Sequence, residues 1–210
     1  KALHALQRAD IVLHDRLVSD EVLAFARRDA ERVFAGKEPG KAALPQEEIN
    51  ALLARLAQEG KRVVRLKGGD PFIFGRGGEE VEYLRARGIE VVVVPGITAA
   101  IGSAAAAQIP LTHRDHATAV TFVTGHAQDG EPDLNWQALA MLGQTLSIYM
   151  GVGQAKVIAD RLIGAGRDPT TPVAVIENGT SPKQRVVSGT LRGLARLVTG
   201  NAIQSPAMLI

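Results

Sequence analysis

The chain has 210 residues, 46% apolar and 22% charged, enough hydrophobic side chain for a sizeable core and unlike a disordered or fibrous sequence. A formal net charge of +2 is too weak a bias to argue for nucleic acid. The lack of cysteine excludes a disulfide framework and thiolate metal sites and favours a reducing cytoplasm, and no run of about 18 apolar residues is present to cross a membrane.

Strands and helices are expected to alternate. Residues 11–13 form a short β run that ends at Asp15. Ser19 caps a helix through Phe25, with Asp20 and Glu21 suiting its N-terminal dipole. A second strand is expected over 31–35. Pro45 opens a strong helix that carries Ile49, Leu52, Leu53 and Leu56 on one face and stops at Gly60. A third strand over 62–66 leads into Arg65-Leu-Lys-Gly-Gly-Asp-Pro-Phe-Ile-Phe-Gly-Arg-Gly-Gly-Glu-Glu80. Glycine-rich backbone is costly to order, and its usual purpose is close approach to a ligand. A helix over 79–87 stops at Gly88, and Val91-Val92-Val93-Val94 has the β-branched continuity of a strand buried on both faces. Pro95-Gly96-Ile97-Thr98 and a small-residue helix over 99–107 follow.

Residues 109–116 break the alternation and read as a linker. Beyond them come strands over 120–124 and 145–149 around a helix at Trp136, then a helix over 154–162. A strand over 173–176, a turn at Asn178-Gly179 and a strand over 185–188 suggest a hairpin. A helix over 191–198 and the apolar Met208-Leu209-Ile210 complete the chain. The first half reads as a parallel βαβ sheet and the second as a mixed sheet.

Ligands of open parallel sheets bind beyond the carboxyl ends of the strands. Four such loops carry polar or glycine residues: His14-Asp15-Arg16, Gly36-Lys37, Lys67-Gly68-Gly69-Asp70 and Pro95-Gly96-Ile97-Thr98. Nucleotide motifs fail, since Gly75-Arg76-Gly77-Gly78 lacks the dinucleotide spacing and Gly40-Lys41 the P-loop context. His113 and His116 read as solvated histidines, and Trp136 as a core residue. Arg16, Arg65, Lys67 and Arg76 are either surface charges or a basic rim for carboxylates, which arginine binds in bidentate fashion.

Ordered blocks over nearly the whole chain resemble the uroporphyrinogen-III C-methyltransferases of the tetrapyrrole methylase superfamily. They include residues 9–19, Gly36-Lys37, Pro45-Gln46-Glu47-Glu48-Ile49-Asn50, the loop over 65–80 and Val94-Pro95-Gly96-Ile97-Thr98-Ala99-Ala100. Ile109-Pro110-Leu111-Thr112-His113-Arg114-Asp115, Val123-Thr124-Gly125-His126, Tyr149-Met150-Gly151, Glu177-Asn178-Gly179-Thr180 and Gln184-Arg185-Val186-Val187 follow. The resemblance implies an α/β, two-domain tetrapyrrole methylase fold. Its N-terminal sheet would be mainly parallel and its C-terminal sheet mixed, with flanking helices and an active-site cleft between. On this chain the domains would be 1–112 and 119–210, joined by 113–118.

The implied activity is transfer of two methyl groups from S-adenosylmethionine to uroporphyrinogen III, at ring carbons 2 and 7, giving precorrin-2 and S-adenosylhomocysteine. The product feeds sirohaem, cobalamin or haem d1 synthesis. The implied cofactor contacts are Gly68, Gly69, Asp70, Ile73, Thr98, Ala99, Met150 and Gly179. Asp15 and Lys37 match the family's proton acceptor and donor. Arg16, Arg65, Arg76, Arg114 and Arg185 are candidates for the substrate's carboxylates. The resemblance further implies a cytoplasmic homodimer with no metal, no nucleic acid and no membrane. The family opens with a strand and a Gly-Ala-Gly-Pro-Gly-Asp loop, so upstream sequence is expected before Lys1. The rival readings are a sibling enzyme that methylates a later corrin precursor or a non-tetrapyrrole substrate, and, in a different class, a non-catalytic module that holds S-adenosylmethionine or a tetrapyrrole without turnover.

Overall fold

The computed structural model describes residues 1–36, 44–126 and 130–210, and its contacts divide the chain into two compact units, Lys1–Thr98 and Ala99–Ile210. In the first unit, α1 (Ala2–Leu6), β1 (Ile11–His14), α2 (Asp20–Leu23), β2 (Glu31–Phe34), α3 (Gln46–Gln58), β3 (Val63–Leu66) and α4 (Gly77–Arg85) follow in turn. The strands form a parallel sheet in the order β2-β1-β3.

Side chains alternate across a strand, and β1 uses both of its faces. Val12 packs with Leu6, Ala9, Leu23, Ala26 and Ala30 from the α1–α2 side. Leu13 packs with Ala35, Ile49, Leu53, Ala54 and Leu84 from the α3–α4 side. Both are fully buried, so β1 is the spine of the unit. Local chemistry agrees with these elements: Ser19 Oγ accepts from Val22 N at 3.4 Å, and Gly60 follows α3 at φ 79°.

The valine run over 91–94 is not a strand. It has no ladder, and Val92 is 75% exposed. A strand needs a neighbouring edge to satisfy its backbone. Here a groove of about 600 Å³, lined by Val63, Val64, Leu66, Val91, Val92 and Val93 among others, lies along the free side of β3. Hydrophobic continuity identified an apolar lining but not a pairing partner.

In the second unit, α5 (Ala99–Ala106) precedes β4 (Ala119–Thr124), α6 (Trp136–Leu139), β5 (Gln144–Tyr149) and α7 (Ala155–Gly164). Then come β6 (Pro172–Glu177), β7 (Arg185–Thr190), α8 (Leu194–Gly200) and β8 (Ala207–Leu209). The sheet order is β4-β5-β8-β6-β7, with β4 and β5 parallel and the other pairs antiparallel. The mixed sheet and the β6–β7 hairpin are as expected from sequence. The closing apolar run proves to be an inner strand. The core gathers Ile148, Ile158, Leu162, Val175, Leu194 and Leu209, with Trp136 packed against it. Helix α5 contacts β5 and β8 and so belongs with this unit, which begins ahead of the linker expected at 113–118.

Ile158 has no exposed surface, whereas Val92 is largely solvated. Ile158→Ala is expected to lower unfolding free energy by about 2–5 kcal/mol. Val92→Ala should change it by no more than about 0.5 kcal/mol. Urea denaturation of both variants checks the contrast.

Candidate functional site

The parallel register sets the edge at which the first unit's polar residues emerge. His14 aligns with Phe34 on β2 and with Leu66 on β3. The chain therefore leaves the three strands together, at Asp15, Ala35 and Lys67, with Gly36 one residue beyond. Lys37 lies outside the described residues. Asp15 Oδ1 accepts from Leu17 N at 2.9 Å, which closes a tight turn, and its Oδ2 lies 3.7 Å from Arg65 Nη1.

Behind Asp15 is a buried ionic cluster. Arg65 and Lys67, two residues apart in extended chain, point to the same side of the sheet. Both meet Glu80 of α4, only 5% exposed. Glu80 Oε1 accepts from Arg65 Nε at 3.3 Å, Lys67 Nζ at 3.1 Å and Gln46 Nε2 at 3.0 Å. Arg65 Nη1 also donates to the carbonyls of Leu66, at 3.1 Å, and Leu13, at 3.5 Å. Burial pushes the Lys67 ammonium below its ordinary pKa, and Arg65 adds to the shift while Glu80 opposes it. Arg65 is thus enclosed by its own unit, while Arg16 is exposed. Arg76 holds Glu79 through two bonds of 2.9 and 2.6 Å at the surface.

Asp70 ties the glycine-rich loop to the segment over 95–98. Its Oδ1 accepts from Phe72 N at 2.9 Å and its Oδ2 from Gly96 N at 3.0 Å. Gly69 stands at φ 79°, where side chains are strained, and a Cβ on Gly96 would lie 2.2 Å from the Gly69 carbonyl oxygen. The two loops are thus in backbone contact. Gly68 and Gly69 remain exposed, Ile73 is half-buried, Thr98 is buried, and the apolar side chains of Leu17, Phe72 and Ile97 are exposed. Exposed apolar groups around open backbone amides suit a small ligand with an apolar part and a polar end.

The other candidates belong to the second unit. Ala99 opens α5, and the next amide, Ala100 N, donates to the Tyr149 hydroxyl at 3.1 Å. Met150, immediately after β5, takes φ 53° and is 51% exposed. A methionine held in left-handed backbone with its side chain outside the core is an outlier of the kind that gathers at ligand sites. Gly179 lies in the β6–β7 connection between Asn178 and Thr180, both of positive φ. A Cβ there would lie 2.2 Å from Ser103 Oγ. Arg185 is held by buried Glu177, whose carboxyl this contact and a bond from Gln204 N keep below the usual range. Arg114 is exposed. His113 and His116 stack with ring centroids 4.7 Å apart, and among the described residues no group of three acidic or histidine side chains is gathered to hold a metal.

Sequence reasoning passed over Glu80, Gln46 and Tyr149. Glu79 and Glu80 open the helix expected over 79–87, and sequence alone does not distinguish the two acids. The available signal was the Arg65–Lys67 spacing, because two cations on one strand face, directed inward, require a buried anion.

The profile of the tetrapyrrole (corrin/porphyrin) methylases matches residues 1–195. Siroheme synthases of Pseudomonas aeruginosa and Edwardsiella ictaluri are 56% and 58% identical over the whole of this chain. The chain spans 45% of the length of each. Among solved structures, uroporphyrin-III C-methyl transferase from Thermus thermophilus, complexed with S-adenosyl homocysteine, is 41% identical with a TM-score of 0.82. That likeness covers 99% of this chain and 87% of the other. A cobalt precorrin-4 methyltransferase superposes with a TM-score of 0.86 at 30% identity, over 99% of this chain and 85% of that one. With the α/β fold and these likenesses in agreement, the chain belongs to the tetrapyrrole (corrin/porphyrin) methylase family.

Proposed function

We propose that this chain carries the S-adenosylmethionine-dependent methylation of uroporphyrinogen III at ring carbons 2 and 7, giving precorrin-2 and S-adenosylhomocysteine. The observation that carries this reading is the 41% identity, over almost the full chain, to a uroporphyrin-III C-methyl transferase complexed with S-adenosyl homocysteine. Identity to the cobalt precorrin-4 methyltransferase is lower, at 30%, although the backbone superposes as well. Methylation of a later corrin precursor is therefore the second reading.

The residues of each unit suit the proposed cofactor. In the first unit, Gly68 and Gly69 offer open backbone to its amino-acid end, Asp70 fixes the loop, Ile73 gives apolar contact and Thr98 a hydroxyl. In the second, Met150 presents an exposed thioether, Ala99 is small and exposed, and the space against Ser103 at Gly179 admits no side chain. When bound, S-adenosylmethionine supplies a methyl group on a positively charged sulfur.

The pyrrole carbon is already nucleophilic, so the chain's main tasks are alignment and proton handling. Arg16 and Arg114, both exposed, are suited to the substrate's carboxylates. Arg65, Arg76 and Arg185 already hold carboxylates of their own units. Asp15 accepts the proton lost from the ring system as the new carbon–carbon bond forms, and Lys37 is the proposed proton donor. We place this chemistry in the cytoplasm, in a homodimer that binds neither nucleic acid nor membrane. Among the described residues, no helix is long and apolar enough to cross a membrane.

Incubation with uroporphyrinogen III and S-adenosylmethionine is expected to give the precorrin-2 chromophore. No new chromophore with uroporphyrinogen III, but turnover of a later corrin precursor, would select the second reading. Asp15→Asn should lower kcat by about 100-fold or more while the cofactor Kd, measured by calorimetry, stays within about twofold. Equal losses in both would remove the proton-accepting role. Gly69→Val adds a side chain at φ 79° beside the Gly96 loop. It should weaken cofactor binding by about tenfold or more, and unchanged calorimetric affinity would take Gly69 out of the cofactor site.

A further inference from the structure

Glu80 is a buried carboxylate without a part in the chemistry just described. Its side chain is 6% exposed, and three donors converge on a single oxygen, from Arg65, Lys67 and Gln46. Taking a carboxylate out of water is unfavourable unless partners of this kind surround it. The most constrained partner is Arg65. Glu80 holds its Nε, and the carbonyls of Leu66 and Leu13 hold its Nη1. Pinned at both ends, the guanidinium stops 3.7 Å from Asp15 Oδ2, beyond ordinary hydrogen-bond length. Asp15 therefore sits beside a cation that does not occupy its oxygen, while its Oδ1 is engaged by Leu17 N.

We propose that Glu80 is a positioning residue for Asp15, acting through Arg65; the inference rests on Asp15 being the proton acceptor. Glu80 draws the guanidinium back toward α4 and keeps Asp15 Oδ2 open to the substrate's proton. Its charge also balances that of Lys67, which itself feels the Asp15 carboxylate. Glu79 cannot replace it, since Glu79 is bound to Arg76 at the surface. Without the Glu80 charge, Arg65 and Lys67 are left with Asp15 as the carboxylate they already face. Arg65 then swings onto Asp15 and ties up the oxygen that must accept the proton.

Glu80→Gln keeps the shape and an acceptor oxygen but removes the charge. With uroporphyrinogen III as substrate, kcat is expected to fall by about 10- to 100-fold. KM and the cofactor Kd should stay within about threefold, because only the proton-transfer step is affected. Removing Arg65 as well, in Arg65→Gln with Glu80→Gln, takes away the group that captures Asp15 and should restore turnover about tenfold over the single variant. A purely structural role predicts the opposite, with the second lesion adding to the first. Wild-type kcat in Glu80→Gln, a loss that follows cofactor affinity, or additive losses in the double variant would each overturn the assignment. The Arg65 Nε–H resonance gives a reading independent of turnover: its solvent exchange should accelerate about tenfold or more in Glu80→Gln. Unchanged exchange rejects the clamp, even if the wild-type chain fails to methylate uroporphyrinogen III, a failure that counts against the proposed function instead.

Discussion

The burial of β1 between two parallel neighbours is the constraint on which the first unit depends. Val12 and Leu13 face opposite sides of the sheet, and each is closed over by helices. A strand covered on both faces and hydrogen-bonded on both edges has no freedom of register, because a one-residue slip would exchange its two cores. That fixed register brings Asp15, the Ala35-Gly36 pair and Lys67 out at one edge. The chemistry of the strand-end loops is therefore placed by hydrophobic packing several residues away.

Most of this edge was legible in the sequence. Short apolar runs, a capping Ser19 and helix-ending glycines predicted the alternation of strands and helices, and a parallel sheet places its strand-end loops together. The valine run over 91–94 was misread because β-branched continuity reports burial and extension, not pairing. An apolar segment along an open groove has the same local pattern as one in a sheet. The role of Met208-Leu209-Ile210 as an inner strand was equally hidden, since strand order in a mixed sheet is set by contacts distant in sequence. Glu80 was obscured by its neighbour, as two adjacent acids at a helix start look alike until the helix is docked.

In the second unit, the candidate residues are marked less by residue type than by backbone state. Met150, Asn178 and Thr180 hold conformations that L-residues seldom adopt. Met150 and Asn178 follow directly on the buried, paired ends of β5 and β6, which can over-determine such strain, and Thr180 lies two residues further along the β6–β7 connection. Gly179 sits between two of them where a side chain would strike Ser103. Periodicity cannot disclose these features, because strain of this kind comes from tertiary packing. Turn chemistry at Asn178-Gly179 indicates the hairpin, and only the resemblance of the surrounding motifs marks Met150 and Gly179 as cofactor contacts.

The ionic cluster behind Asp15 is difficult to justify by stability alone. A buried pair or triad of charges seldom surpasses well-packed apolar residues of similar volume, since desolvation offsets most of the attraction. Surface pairs such as Arg76–Glu79 face little desolvation and little selection for geometry. The Glu80 cluster differs in that every donor is directed: one oxygen takes three bonds, and Arg65 is fixed at both ends. A leucine cluster could fill the same volume, but it could not hold a guanidinium just short of a carboxylate that must remain open. Directionality is the property that charges supply and apolar packing lacks, and here it is spent beside the proposed proton acceptor.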